Sequence, residues 1–140
     1  MAKLTPFLRF NDVKCKEAMM FYKGIFGGEL TLQTIGESPM AKEMPKKDHG
    51  RIMHSTLKSG DIEFSASDMM RDKAIVGDNI AMALNCDSED EIRTHFSKLS
   101  QGGAVFMPLE KQFWGALFGV VTDKFGIEWT LNYQMEPMNK

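Results

Sequence analysis

Hydrophobic and polar positions follow two periods along this chain, and the periods change in the same order twice. Residues 4–10 alternate, as a half-buried strand does. Asn11-Asp12 then offers a helix cap, and Ala18, Phe21, Tyr22 and Ile25 give residues 13–26 an apolar helical stripe. Gly27-Gly28 stops that helix, and residues 29–35 predict a second strand. Residues 36–50 carry two prolines and little periodicity. They predict a long mobile loop, the kind of segment that covers a site or stays disordered. Residues 51–58 and 61–68 predict a hairpin about Ser59-Gly60. After a linker at 69–77 comes a strand at 79–86, then a helix capped by Asp87-Ser88 and running to Ser100. Its stripe is Ile92, Phe96 and Leu99, and Gly102-Gly103 ends it. A strand begins at 104–107. The last hairpin joins 117–121 to 127–131 through Asp123-Lys124-Phe125-Gly126, and the polar tail after Tyr133 is expected to fray.

Strand periodicity assigns faces. A turn at Ser59-Gly60 pairs Lys58 with Asp61, Leu57 with Ile62, Thr56 with Glu63, Ser55 with Phe64 and His54 with Ser65. One face is then Met53, Ser55, Leu57, Ile62, Phe64 and Ala66, which wants a helix. The other is Ile52, His54, Thr56, Glu63, Ser65 and Ser67, which is mainly polar. In the last strand Ile127, Trp129 and Leu131 point one way, and Glu128, Thr130 and Asn132 the other.

The two halves match each other. Shifted by 75 residues, Asp12 falls on Asp87, Phe21 on Phe96 and Gly27-Gly28 on Gly102-Gly103; with a different shift in the last hairpin, Ile62-Glu63-Phe64-Ser65 falls on Ile127-Glu128-Trp129-Thr130. Each half reads strand, helix, strand, strand, strand. The chain is thus expected to be one α+β domain over 1–140, built from two tandem βαβββ modules at about 4–69 and 77–133. Eight strands and two main helices would surround a cleft lined by the polar faces.

Composition narrows the function classes. Of 140 residues, 43% are hydrophobic and 26% charged, with a net charge of −2. Nothing there favours nucleic acid or an anionic membrane surface. No apolar run is long enough to span a bilayer, and the first residues lack the apolar core of a signal peptide, so a cytoplasmic protein is expected. Cys15 and Cys86 lie far apart and are expected to be free thiols in a reducing compartment. Several of the twelve methionines occupy core-like positions, where they fill gaps.

Three motifs carry a family resemblance. They are Phe21-Tyr22-x3-Phe26-Gly27-Gly28, Gly60-Asp61-Ile62, and Phe113-Trp114-Gly115-x3-Gly119-x-Val121-x-Asp123-x-Phe125-Gly126-x2-Trp129. With the paired modules they resemble the vicinal oxygen chelate superfamily of glyoxalases, bleomycin-resistance proteins and ring-cleaving dioxygenases, in its PhnB-like branch. The resemblance implies a small organic ligand and a homodimer, in some relatives with sites built by both chains. Metal-enzyme ligand positions of the superfamily fall near Thr5, Glu63 (or Ser65), Asn79 and Thr130. Only Glu63 is a conventional ligand, whereas a catalytic metal wants about three. The resemblance therefore implies a binding protein without a tightly held metal. The alternative is a divalent-metal lyase, isomerase or dioxygenase-like enzyme with a weak site near Glu63. The demethylubiquinone methyltransferase name that this branch often bears finds no Gly-rich strand-to-helix loop here.

The cleft candidates are Thr5, Phe7, Arg9, His54, Thr56, Glu63, Ser65, Asn79, Trp114, Glu128 and Thr130. His54 and Glu63 share a face, two ladder positions apart, and could act as an acid/base or metal pair or simply form a cavity wall. Glu128 could face inward or sit in solvent at the sheet end. Arg9 would favour an anionic ligand or pair with a glutamate. Trp114 and Phe113 could stack on a ligand or pack in a core. His49 and His95 are expected at the surface, and Asp123 in a structural turn.

Overall fold

The computed structural model describes residues 1–70 and 72–135, and in it the chain divides into two compact units, Met1–Ile75 and the residues from Val76 onward. The first contains β1 (Phe7–Phe10), α1 (Cys15–Phe26), β2 (Glu29–Thr34), β3 (Ile52–Ser59) and β4 (Ile62–Asp68). The second contains β5 (Met82–Asn85), α2 (Glu89–Ser100), β6 (Ala104–Lys111), β7 (Ala116–Thr122) and β8 (Glu128–Gln134). Each unit is a βαβββ module with a four-stranded sheet, ordered β1-β4-β3-β2 or β5-β8-β7-β6. The outer pairs β1–β4 and β5–β8 run parallel, and the remaining neighbours are antiparallel. The α+β fold of paired modules is the one expected.

In the first module α1 packs on β2, β3 and β4. It buries Cys15, Ala18, Met19, Tyr22 and Ile25, and the Tyr22 ring meets Phe64 edge-on at 5.5 Å. Leu57, Phe64 and Ala66 form the sheet side of this core. In the second module α2 lays Ile92, Phe96 and Leu99 toward Leu117, Val121, Trp129 and Leu131. Each large apolar side chain buried in this way stabilises the fold by about 1.5–3 kcal/mol. Gly119 sits under Phe96, where a Cβ would come within 2.7 Å of the ring. The motif glycine there is a close-packing requirement.

Local expectations fared unevenly. Ser88 caps α2, accepting the Glu91 N–H at 3.1 Å, as the pattern predicts. The equivalent cap on α1 fails. Asp12 and Val13 take left-handed φ of 58° and 56°, and α1 starts only at Cys15. The Asn11 side chain turns away to bond Ala74, accepting its N–H at 2.8 Å and donating to its carbonyl at 3.1 Å. Asp68, at the end of β4, accepts the Cys15 N–H instead.

The first hairpin turns at Gly60-Asp61, so Ser59 pairs with Ile62, Leu57 with Phe64 and Thr56 with Ser65. Gly60 takes the positive φ of 59° that the tight loop needs. Ser59 is kept in the strand by donating to the Phe26 carbonyl at 2.7 Å. Relative to the expected pairing the ladder slips by an even number of residues, so the faces survive and the neighbours change. Ile52 is the exception. A bulge against Gln33 and Thr34 carries it into the core, 2% exposed.

Residues 36–50 are not the mobile loop expected. Short 3-10 turns at Ile35–Glu37, Pro39–Glu43 and Lys46–Asp48 fill the segment. A capping box between Thr34 and Glu37 starts it, and Arg51 Nε holds Asp48 at 2.9 Å. His49 is half-buried rather than superficial, its Nε2 2.9 Å from the Ala41 carbonyl and 3.0 Å from that of Met44. His95 is also half-buried, and desolvation lowers its pKa. Both thiols are buried and free. β8 continues past Tyr133 to Gln134, and the expected fraying of the tail beyond 135 lies outside the described residues.

Candidate functional site

Because α1 covers one face of the first sheet, the alternating residues of β1–β4 project from the other. Phe7 and Arg9 come from β1, His54 and Thr56 from β3, Glu63 and Ser65 from β4. Phe7 and His54 approach with ring centroids 6.1 Å apart, and the Arg9 guanidinium lies 5.4 Å over the Phe7 ring. Thr56 and Ser65, paired across the ladder, share a 3.0 Å hydrogen bond. Thr5 stands half-buried just ahead of β1. Six of the sequence candidates thus share one sheet face. That face offers an aromatic ring, an imidazole, a guanidinium and two hydroxyls.

Glu63 does not join them as an acid/base partner. It pairs with Lys58 in the ladder and takes a 2.6 Å hydrogen bond from Lys3 Nζ. His54 lies four residues along β3 from Lys58, twice the expected offset, so His54 and Glu63 share a face without being neighbours. The Lys3 hydrogen bond holds the Glu63 carboxyl below its ordinary value, against a smaller opposing effect of burial. The charges of Lys3 and Lys58 add to the lowering.

The open face of the second sheet is more apolar than its last strand suggests. Thr130 lies between Val120 of β7 and Ala83 of β5, and Asn132 opposite Phe118. Glu128 is half-buried in the final pair of the hairpin, with Thr122. Trp114 packs edge-on against Phe118 at 5.8 Å and Phe113 at 4.9 Å, so its ring belongs to an aromatic cluster at the start of β7. Asn79 is not on a strand. β5 begins only at Met82, and Asn79 is exposed in the preceding loop. Asp123 shapes the turn: one oxygen accepts the Phe125 and Ile127 N–H groups, and the other accepts Trp129 Nε1–H at 2.9 Å.

A resident metal fits this donor set poorly. Among the described residues no three His, Cys, Asp or Glu side chains gather as a metal would require. Of the family's ligand positions, Thr5 and Thr130 are hydroxyls, Asn79 is off the sheet, and Glu63 already accepts from Lys3.

One feature of the first module has no counterpart in the sequence reading. A pocket of about 370 Å³ is lined by Met44, Lys47, Asp48, Arg51, Met69 and Met70. Apart from Arg51, which opens a predicted strand, its residues come from segments that looked like a loop and a linker, with no periodicity to flag them.

A βαβββ pair with one helix-covered face per sheet is the fold of the vicinal oxygen chelate proteins. The chain matches the model of the 3-demethylubiquinone-9 3-methyltransferase family over residues 2–132, and it belongs to that PhnB-like family. It is 35% identical to protein PA1353 from Pseudomonas aeruginosa, with a TM-score of 0.83 over 97% of this chain and 100% of the other. A PhnB protein from Bacillus cereus is 32% identical, with a TM-score of 0.75 over 94% and 99%. A glyoxalase/bleomycin resistance protein/dioxygenase from Nocardioides shares the fold at 14% identity, with a TM-score of 0.57 over 97% and 86%. Among the described residues no helix is long and apolar enough to cross a membrane.

Proposed function

We propose that this chain is a small-molecule binding protein of the glyoxalase/bleomycin-resistance type, holding an organic ligand without a tightly bound catalytic metal. The observation that carries this is the Phe7–His54–Arg9 group on the open face of the first sheet. An aromatic face supplies stacking area, and the imidazole, guanidinium and the Thr56–Ser65 hydroxyl pair supply oriented polar contacts. That mixture is what small-ligand sites use. The methyltransferase activity in the family's description is not carried over, since Lys14 and Ser88 precede the helices and no Gly-rich strand-to-helix loop stands there to hold a nucleotide-like cofactor.

Metal analysis combined with a thermal-shift screen of small organic compounds tests the proposal. Substoichiometric transition metal and a hit whose Tm rise is lost in His54→Ala and Phe7→Ala are expected. A stoichiometric divalent metal lost on Glu63→Ala would favour the metal-dependent lyase, isomerase or dioxygenase-like alternative. We further propose a homodimer in a cytoplasmic, reducing setting. The free buried thiols support the setting. The resemblance to homodimeric relatives supports a second copy as partner. Light scattering that finds only monomer would refute the dimer.

A further inference from the structure

The pocket of the first module is lined by none of the candidate side chains grouped on the open sheet face. It forms where β3 begins and β4 ends: Arg51 immediately precedes β3, Met69 and Met70 immediately follow β4, and Met44, Lys47 and Asp48 come from the 3-10 segment. Its volume of about 370 Å³ is at the lower end for small-ligand cavities.

Three features give it a chemical preference. Three methionines line it, presenting polarizable thioethers that favour flat aromatic partners. Two cations, Lys47 and Arg51, stand with one anion, Asp48. The anion is already engaged, since Arg51 Nε donates to it at 2.9 Å while a terminal guanidinium nitrogen donates to the Met69 carbonyl at 3.3 Å. Arg51 is therefore fixed in place with donors left over, and Lys47 has no ion-pair partner among the described residues. The walls are held as well. His49 Nε2 lies 3.0 Å from the Met44 carbonyl, and the Met69 N–H donates to the Phe10 carbonyl at 3.0 Å. Arg51 and the backbone of the methionine-bearing segments are already positioned, so ordering them costs a ligand little entropy.

We infer that this pocket is a second ligand site, separate from the open sheet face, for a small organic anion with a flat apolar body, such as an aromatic monocarboxylate. The ring would lie among Met44, Met69 and Met70, and the carboxylate between Lys47 and Arg51. This inference does not depend on the ligand reading of Phe7 and His54.

The test is NMR of the full chain carrying 13C-methyl methionine, titrated with benzoate, benzyl alcohol and benzylamine. Benzoate is expected to shift the Met44, Met69 and Met70 methyls saturably. The alcohol should bind about tenfold more weakly and the amine more weakly still, because each loses the charge-assisted contacts. Lys47→Glu should weaken benzoate about tenfold without changing Tm, since Lys47 is exposed and makes no structural ion pair. Because Arg51→Gln removes the Asp48 contact and could perturb the segment, Lys47→Gln serves as the second variant, with a smaller loss expected. Benzoate shifts centred on other methionines, no saturation, equal binding of the alcohol, or unchanged affinity in Lys47→Glu would each overturn the assignment.

Discussion

The carboxylate of Asp68 accepts the Cys15 N–H at 2.9 Å through one oxygen and the Ile52 N–H at 2.7 Å through the other. A residue at the end of β4 thereby caps α1, 53 positions earlier in the chain, and pins the start of β3. It is 1% exposed, so both hydrogen bonds are shielded from water.

Asp68→Ala should therefore destabilise the protein more than loss of an ordinary surface cap. Two charge-assisted hydrogen bonds go and two N–H groups are left buried, at a cost of about 2–4 kcal/mol. Asp68→Asn retains one acceptor and should cost less. Urea unfolding followed by circular dichroism measures both. A change below about 1 kcal/mol for the alanine variant would show that solvent replaces the cap.

Gly119→Ala tests the packing of α2. The added methyl would meet Phe96 at 2.7 Å, Leu109 at 3.0 Å and the Met107 carbonyl at 3.1 Å. Overpacking of this kind costs about 1–3 kcal/mol. Combining it with Phe96→Leu should recover part of the loss, a coupling that a double-mutant cycle reads directly.

Lys3 sets the titration of Glu63. The folded carboxyl is held below 4.5 chiefly by the Lys3 hydrogen bond. A depressed acid stabilises the fold above its unfolded pKa, and this is lost as pH falls through the folded value. In Lys3→Met the Glu63 pKa should rise toward 4.5, and that acid-side dependence should shrink. Carboxyl 13C NMR titration follows the shift; an unmoved Glu63 would exclude the contact in solution.

The thiols make a prediction at alkaline pH. Burial is the main cause that pushes Cys15 and Cys86 from 9.0 to about 12. For Cys15 the Ser55 hydrogen bond opposes this, and the Asp68 charge reinforces it. A raised thiol pKa contributes stability that is complete below about pH 9 and lost as pH rises toward 12. The native protein should react with a disulfide reagent at pH 8 far more slowly than the urea-unfolded chain, and Cys15→Ala should flatten stability between pH 9 and 12. Rapid native labelling at both positions would contradict the burial.

Much of the architecture was legible along the chain because its signals are local. The stripe of Ile92, Phe96 and Leu99, the Ser88 cap and the glycines after each helix act within a few residues of where they are read. The helix-facing character of Leu57, Phe64 and Ala66 survived a wrong hairpin register, since an even slip leaves every side chain on its own face. The candidate site was legible in the same partial way. His54, Thr56 and Ser65 were assigned to one face by parity, but their neighbours were not, and the β1–β4 register is what brings Phe7 and Arg9 to that face. His54 and Glu63 lie farther apart than their expected offset because the turn moved one residue along, and Lys3 bonds the carboxylate.

Period and turn chemistry in the sequence alone determined the order of strands and helices, the repeat of two βαβββ modules and the sidedness of each sheet. Only the tertiary structure decided the contacts that join distant segments. These include the Asp68 cap on α1, the bulge that turns Ile52 inward and the placement of Phe118 and Val120 beside Asn132 and Thr130. The Met44–Arg51–Met69 pocket belongs with them. The reason is physical: periodicity reports which way a side chain points, whereas its neighbours depend on strand register and on chain segments that periodicity does not describe.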